Sequence, residues 1–513
     1  MKTNLDKPLI SFTGEETSLT IRDSHTSCFI TGGIGSGKTS GSASHIISKM
    51  MQENYGMLFL TVKADEADLY KRLAKKAGRA HQVIEVSPNH SNYFNFINYF
   101  SKTSDGFSYA TNIYNILKTA IKTSETQSAG HEHDAFFSQS MDRMLLSIID
   151  LCMISDGDLS IERIYEIAQT IPKAPESEAE KDKQNEQQAP PANDTKPVDT
   201  EETAFAQAFR TAKENCRKLI LEWRKKQDAE ELRALTKAQI ERKTRSDIPE
   251  YRKLKMLHQF FMETLFRISS KTRSIIQMCI VNFLGGFMDE PMYSLFCKHE
   301  STFTPDDCIA KGSIIILNLP VMLYSKSGQD AQTLIKLCFQ KAWQRRDVKT
   351  NARSLALVSD ECQYFICDTD ALFQTTARSQ HISVVYITQN LSNLYANMGG
   401  VNTEHHVGSL LGTFGVRFFH ANSHMDTNRL VSDMAGQAFF EDISRSISYS
   451  KDNDISNSFS YKLEQLIRPE EMLSLKCGGE PNDFTTECYV FIQGKQFSDG
   501  RNCKKVKFKQ SIL

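Results

Sequence analysis

The sequence has no apolar run long enough to cross a bilayer. Its longest, such as Met144 to Ile154 and Ser313 to Leu323, fall well short of the roughly 18 to 20 residues a membrane helix needs. Its first residues, MKTNLDKPLI, lack the apolar core of a secretory signal. The twelve cysteines include no CxxC pair and no metal-ligand spacing, so they read as reduced, mostly buried thiols of a cytoplasmic protein. An excess of either charge is missing too. The formal net charge is -1, so nothing draws the whole chain toward nucleic acid or membrane, and any such partner must be met by a local patch.

A chain of 513 residues exceeds what one hydrophobic core usually organises. Its first hundred residues alternate short β-rich runs (Cys28 to Thr31, Met57 to Val62, Val83 to Val86) with helical patterns, the rhythm of βαβ units and a parallel sheet. From about residue 107 the pattern turns helical and stays so to Phe287, after which strand-like runs resume at Ser313–Leu319, Ser354–Ser359, Ser383–Thr388, Val416–His420 and Cys488–Ile492. The expected fold is therefore α/β, a mostly parallel sheet in two segments, residues 1–106 and 301–513, interrupted by an inserted all-α domain, residues 107–300. Within the insert, Lys173–Thr203 is rich in Pro, Glu, Gln and Asp and almost free of large apolar residues, so it is expected to be a disordered acidic loop.

Gly32-Gly33-Ile34-Gly35-Ser36-Gly37-Lys38-Thr39 satisfies G-x-x-x-x-G-K-[ST], follows the apolar run Cys28-Phe29-Ile30 and opens a helix. Glycines at these positions let backbone N–H groups curl around phosphates, Lys38 neutralises the β- and γ-phosphates, and Thr39 offers its hydroxyl to Mg²⁺. The expected nucleotide contacts run from Gly32 through Ser40, and the expected ligand is ATP with Mg²⁺. Hydrolysis needs an acidic pair at the end of a buried strand, and Leu355-Ala356-Leu357-Val358-Ser359-Asp360-Glu361 supplies it. Asp360 is placed to hold the metal's water shell, and Glu361 to orient or deprotonate the attacking water. The next strand ends in Gln389, positioned to sense the γ-phosphate or place water. Between the two strands lies a helix bearing Arg378, which alone reads as a solvated helix residue.

Asp360-Glu361, with Thr376-Ala377-Arg378-Ser379-Gln380-His381 and the strand to Gln389, resembles the TraG/TraD coupling ATPases of conjugative and type IV secretion systems. The likeness extends to Lys63 and Glu66 through Tyr70, to Phe94-Asn95-Phe96-Ile97, to Ile314–Pro320 and to Leu466–Met472. It implies a RecA-like P-loop NTPase core that assembles as a hexameric ring and moves DNA, or relaxase-bound DNA, to a secretion channel. It assigns family roles to Lys38, Thr39, Asp360, Glu361 and Gln389, and makes Arg378 an arginine finger that reaches the neighbouring subunit's nucleotide. Two departures stand out. Thr61-Val62 occupies the place of the family's Asp-Pro, leaving only Lys63 there as a contact. The family's paired N-terminal membrane helices have no counterpart, so the resemblance is to a soluble variant, cytoplasmic and brought to the inner face of the membrane through a partner.

Arg210–Lys255 holds fifteen Lys and Arg against eight acids, with Trp223 among them. Such a helical stretch fits a phosphate backbone and fits equally a solvated surface laced with i,i+4 ion pairs. His131-Glu132-His133-Asp134 reads as a polar helix entry, since i,i+2 spacing divides the histidines between faces, and His405-His406 diverge as neighbours; no metal beyond Mg²⁺ is expected. Two functions follow, a DNA-translocating coupling ATPase or an ATPase that switches a protein cargo or defence complex without moving DNA.

Overall fold

The computed structural model describes residues 4–103, 109–129, 135–172, 202–398, 402–447 and 455–510. The expected acidic loop lies outside these residues up to position 201, and so do His131–Asp134. The chain forms two compact units, one chiefly from Met1–Asn92 and Phe303–Leu513, the other from Tyr93–Ser128 and Glu132–Thr302.

The first unit holds the described strands. In chain order they are β1 (Pro8–Ser11), β2 (Ser18–Thr20), β3 (Cys28–Thr31), β4 (Gly56–Leu60), β5 (Val83–Val86), β6 (Ile314–Leu317), β7 (Leu355–Ser359), β8 (Ile382–Thr388), β9 (Val416–His420), β10 (Gln437–Ile447), β11 (Ile455–Gln465), β12 (Thr485–Ile492) and β13 (Cys503–Lys509). Nine of them form one sheet in the order β13-β12-β9-β3-β8-β7-β4-β6-β5, while β1–β2 and β10–β11 pair separately. From β9 to β5 every neighbour is parallel. Then β12 runs antiparallel to β9, and β13 antiparallel to β12. The sheet is thus the mostly parallel α/β core expected of a RecA-like fold.

Its central strands are aliphatic and aromatic on both faces because both are covered, as parallel sheets require. On one face Cys28, Ile30, Met57, Phe59, Val385 and Ile387 pack with Ile46, Ile47, Met50 and Met51 of the helix Ser44–Gln52. The alternate residues turn to the other face, where Phe29 and Tyr386 meet Phe414 with ring centroids 5.4 and 5.9 Å apart. That second face also contains a buried ion pair. Lys336, from the helix Val321–Gln344, reaches both carboxylate oxygens of Asp370 at 2.8 and 2.7 Å and the Phe365 carbonyl at 2.6 Å. Gln340 and the Tyr386 hydroxyl donate to the same carboxylate. This network ties the segment following β7 to β8 and to the helix Thr369–Ala377.

The second unit is helical throughout its described residues, with Tyr109–Ala129, Ala135–Ser155 and Ala204–Lys225 its longest helices. Thr203 caps the last of these, accepting from the Ala206 N–H, and Thr236 opens Lys237–Asp247 with a capping box to Gln239. The basic stretch is partly neutralised where it lies. Arg210 pairs with Glu202 and Glu214, Arg245 and Lys255 with Glu241, and Lys253 with Asp150. Trp223 is buried, its indole N–H donating to Asp247 at 2.9 Å, so it is a packing residue and offers no open stacking face.

All twelve cysteines are free and ten are buried, as reduced thiols should be. No helix among the described residues is long and apolar enough to cross a membrane. The Lys336–Asp370 pair yields a stability prediction. Lys336→Met strands a buried carboxylate and costs roughly 3–5 kcal/mol, lowering the Tm by on the order of 5–10 °C, whereas Lys336→Met with Asp370→Leu regains much of the loss. Thermal unfolding of the two variants checks it, and equal losses would contradict it.

Candidate nucleotide site

Parallel strands end at a common edge of their sheet, and the side chains with chemistry follow those ends. β3 lies between β8 and β9, with Thr31 opposite Thr388 and Phe419. The loop after β3 is seated by both neighbours: the Gly32 N–H donates to the Thr388 carbonyl at 3.4 Å and the Gly33 N–H to the Ala421 carbonyl at 2.8 Å. Thr31 Oγ1 and Asn422 Nδ2 both donate to the carbonyl of Gln389, at 2.9 and 2.8 Å. The loop, β8 and β9 are thereby fixed as one rim.

Two glycines of the loop are required by crowding. A Cβ on Gly32 would lie 2.4 Å from the Ser36 hydroxyl and 2.6 Å from His420 Cβ. At Gly37, where φ is +77°, a Cβ would lie 2.2 Å from Thr486 Cγ2 and 3.1 Å from the Cys477 carbonyl. Glycine alone tolerates both the left-handed backbone and the contact. Ile34 stands out of the loop, 88% exposed, at the lip of the cleft.

After β7 the chain turns sharply at Glu361, held in the left-handed region at φ 50°, ψ 51°. The turn sends adjacent carboxylates in different directions. Asp360 Oδ2 accepts from the Thr39 hydroxyl at 2.8 Å, while Glu361 Oε1 lies 3.8 Å from the Lys38 ammonium, 3.6 Å from that of Lys63 and 3.2 Å from Gln389 Nε2. Gln363 donates to Glu361 Oε2 at 3.0 Å and is itself held by Thr388 at 2.9 Å. The structure therefore brings together Lys38, Thr39, Asp360, Glu361 and Gln389 as the sequence anticipated. Lys63 joins them through its contact with Glu361.

Burial and charge tune these groups. Burial raises the Asp360 carboxyl above its ordinary range, and Lys38 and Lys63 only partly offset it. Burial also works to raise Glu361, but Gln363, Lys38, Gln389 and Lys63 together hold it below the usual carboxylate range. Lys63 is raised because the nearby acids outweigh its burial. Glu66, accepting from the Val62 N–H at 2.7 Å, is pushed up to about 8 by burial and by Asp360. Behind the loop, His420 bonds Ser42 at 2.7 Å and is depressed to about 3 by burial and Lys38.

A hydroxyl and a carboxylate in contact suit a hard, oxygen-preferring divalent cation, and Thr39 with Asp360 is that donor set. Among the described residues no cluster of three or more His, Cys, Asp or Glu could hold a metal alone. The cleft above the loop, about 460 Å³, is lined by Gly35 to Ser40, Lys63, Glu361, Gln389 and Gln510.

Arg378 is not part of this cluster. It follows the helix Thr369–Ala377, is exposed, and precedes β8, whereas Gln389 follows it. A seven-residue strand separates them, roughly 20–25 Å at 3.3 Å per residue. The sequence reading also missed contributors. Thr486, Cys477, Asn422, His420 and Gln510 all come from β9, β12, β13 or their flanks, far along the chain, and no local pattern announces them.

The chain matches the family described as type IV secretory system conjugative DNA transfer over residues 6–494. No curated protein matches it in sequence. Among solved structures it resembles the unbound bacterial conjugative coupling protein TrwBdeltaN70 at 13% identity and TM-score 0.56, covering 99% of this chain and 88% of that one. Plasmid coupling protein TrwB in complex with ADP and Mg²⁺ matches at 13% identity and TM-score 0.57, covering 98% and 89%. Its complex with the non-hydrolysable analogue ADPNP matches at 14% and 0.55, covering 96% and 87%. Likeness at this identity is likeness of fold.

The depressed histidine sets a pH dependence. An unfolded chain protonates this side chain near 6.5, the folded one only near 3, so between these values the unfolded state holds more protons and stability rises with pH. His25, also held near 3 chiefly by burial, acts in the same sense. The stability contributed by the two histidines is complete above pH 6.5 and falls on acidification; Glu66, raised to about 8, acts in the opposite sense and offsets one of them. The Tm should drop between pH 7 and 5, and His420→Gln should flatten that slope; an unchanged slope would contradict the assignment.

Proposed function

The chain belongs to the type IV secretory system conjugative DNA transfer family, and from that premise we propose that it is an ATP-hydrolysing motor that moves DNA, or relaxase-bound DNA, in conjugative transfer or mobilisation. The observation supporting this most strongly is the convergence of Lys38, Thr39, Asp360, Glu361 and Gln389 on one cleft, with the acidic pair split toward two tasks. TrwB is described with ADP and Mg²⁺ and with an ATP analogue, and this chain shares its fold, so ATP and Mg²⁺ are the proposed ligands.

In this reading the loop from Gly32 to Ser40 cradles the phosphates with its N–H groups, and Lys38 moves its charge from Glu361 onto the β- and γ-oxygens. Thr39 and Asp360 would hold Mg²⁺ and its water shell; the ion, when bound, draws charge from the transferring phosphoryl group. Glu361, released from the lysines, accepts the proton of the attacking water, and Gln389 holds that water in line. Arg378, exposed at the opposite edge of the sheet, is assigned to a neighbouring copy's nucleotide within a homo-oligomeric ring, a hexamer by the family resemblance. The helical insert is proposed to meet DNA-processing partners, and docking on a channel protein to bring the chain to the inner face of the membrane.

The test is ATP turnover by the purified chain with and without DNA. DNA should stimulate turnover, and the stimulation should fall steeply with salt because phosphate contacts release counterions. Glu361→Gln should still bind ATP but turn it over at least about a hundredfold more slowly, since an amide cannot accept the proton. Full activity in Glu361→Gln removes that residue from catalysis, and stimulation by a protein partner but not by DNA replaces the motor with a switch.

A further inference from the structure

The acidic pair and Gln389 mark the γ-phosphate end of the cleft, on the β7–β8 side of β3. What meets the other end of the nucleotide follows from the topology of the opposite side. Beyond β3 come β9, β12 and β13, and two successive antiparallel pairings leave β13 running parallel to β3. The chain therefore leaves β13 at the same edge where it leaves β3 to form the phosphate loop. The residue at that exit is Gln510.

Gln510 is half-buried, lines the cleft and is held at both ends of its amide. Its Oε1 accepts from the Gly479 N–H at 2.7 Å, and its Nε2 donates to the Ser40 hydroxyl at 2.7 Å. Its own N–H donates to the Phe484 carbonyl at 2.7 Å. A Cβ on Gly478 would lie 2.3 Å from the Gln510 side chain, so the backbone is kept bare to admit it. Phe508, two residues earlier, packs its ring 5.2 Å from His45, which bonds the Gly41 carbonyl. The end of β13 is thus fastened to the first turn after the loop at two points, and this fastening fixes the orientation of the amide.

We propose that Gln510 is a nucleotide-binding residue, reading the α-phosphate and ribose end of a nucleoside di- or triphosphate across the cleft from Glu361. Ser40 follows Thr39, so the amide sits beside the part of the loop that cradles the α-phosphate, not the part that meets the γ-phosphate. A primary amide has two N–H donors, and with one engaged by Ser40 the second is directed to a phosphate or sugar oxygen. The contact is made equally to ATP and ADP and is the same before and during hydrolysis, so it contributes affinity without altering the chemical step. This rests on the nucleotide reading of the cleft.

The test pairs Gln510→Ala and Gln510→Glu in the full chain, with ATP and ADP as probes. Gln510→Ala should raise the KM for ATP and the Kd for ADP alike, by about tenfold for the loss of a hydrogen bond to a charged group, with kcat within about twofold of wild type. Gln510→Glu can still accept from both Gly479 and Ser40, keeping the fastening, yet places a negative charge beside the phosphates. It should therefore bind more weakly than Gln510→Ala while its unliganded Tm stays near that of wild type. A merely structural role predicts the reverse: Gln510→Glu binding as wild type does, or Gln510→Ala lowering kcat with KM unchanged, and either result overturns the proposal. Wild-type protein that binds neither ATP nor ADP would instead remove the nucleotide reading itself.

Discussion

The polarity of the parallel strands is the constraint on which the rest depends. Because β3, β7, β8 and β9 all run the same way, their C-terminal ends share one edge, and every residue that follows such an end is delivered to the same rim. The register of β3 makes this delivery exact in height: Thr31 aligns with Thr388 and Phe419, so that Gly32, Gln389 and the turn at Ala421–Asn422 can bond one another. A slip of one residue would turn Thr31 to the opposite face and undo all of these bonds together.

The same rim accounts for the electrostatics. Glu361 is a carboxylate with two lysines and two glutamines directed at it, and in the proposed mechanism phosphate oxygens take the lysines over from it. Asp360, turned away by the left-handed conformation at Glu361, keeps its bond to Thr39 separate from that exchange. Behind both, the Lys336–Asp370 pair fastens the segment that follows Glu361 to the covered face of the sheet. The acidic turn is therefore supported from below by buried polar contacts while its functional side remains open to the cleft.

Much of this was legible in the sequence because it is local. The phosphate loop, the acidic pair and Gln389 each follow a short apolar run, and their spacing announces them without knowledge of the partners. What could not be read is what arrives from elsewhere. β13 alternates Lys504, Lys505, Lys507 and Lys509 with a few apolar residues, a composition that protects a sheet edge and weakens its strand signal. Thr486, the residue that forces glycine at position 37, lies some 450 positions along the chain, and nothing in its neighbourhood marks it. The pairing of β10 with β11, both long and serine-rich, was unread as well, although β11 alternates Phe459, Tyr461 and Leu463 with Ser458, Ser460, Lys462 and Glu464, a period-two signal the sequence reading passed over. For Trp223 the composition suggested an aromatic residue in a basic patch, and packing decided otherwise.

The polarity that gathers the site at one edge also places Arg378 at the other, a full strand from the Glu361 of its own chain. In the proposed mechanism, with the nucleotide cleft and the arginine at opposite edges of one sheet, the reaction is completed only beside a second copy. Complementation measures this most directly. Lys38→Ala has a dead cleft and a sound arginine, and Arg378→Ala has the converse; each alone should hydrolyse almost no ATP, the finger being worth roughly 10³- to 10⁵-fold in rate. Mixed in one assembly they should regain part of the wild-type rate, and more of it as protein concentration rises. A confirmed mixed assembly as inactive as either variant alone would contradict the account.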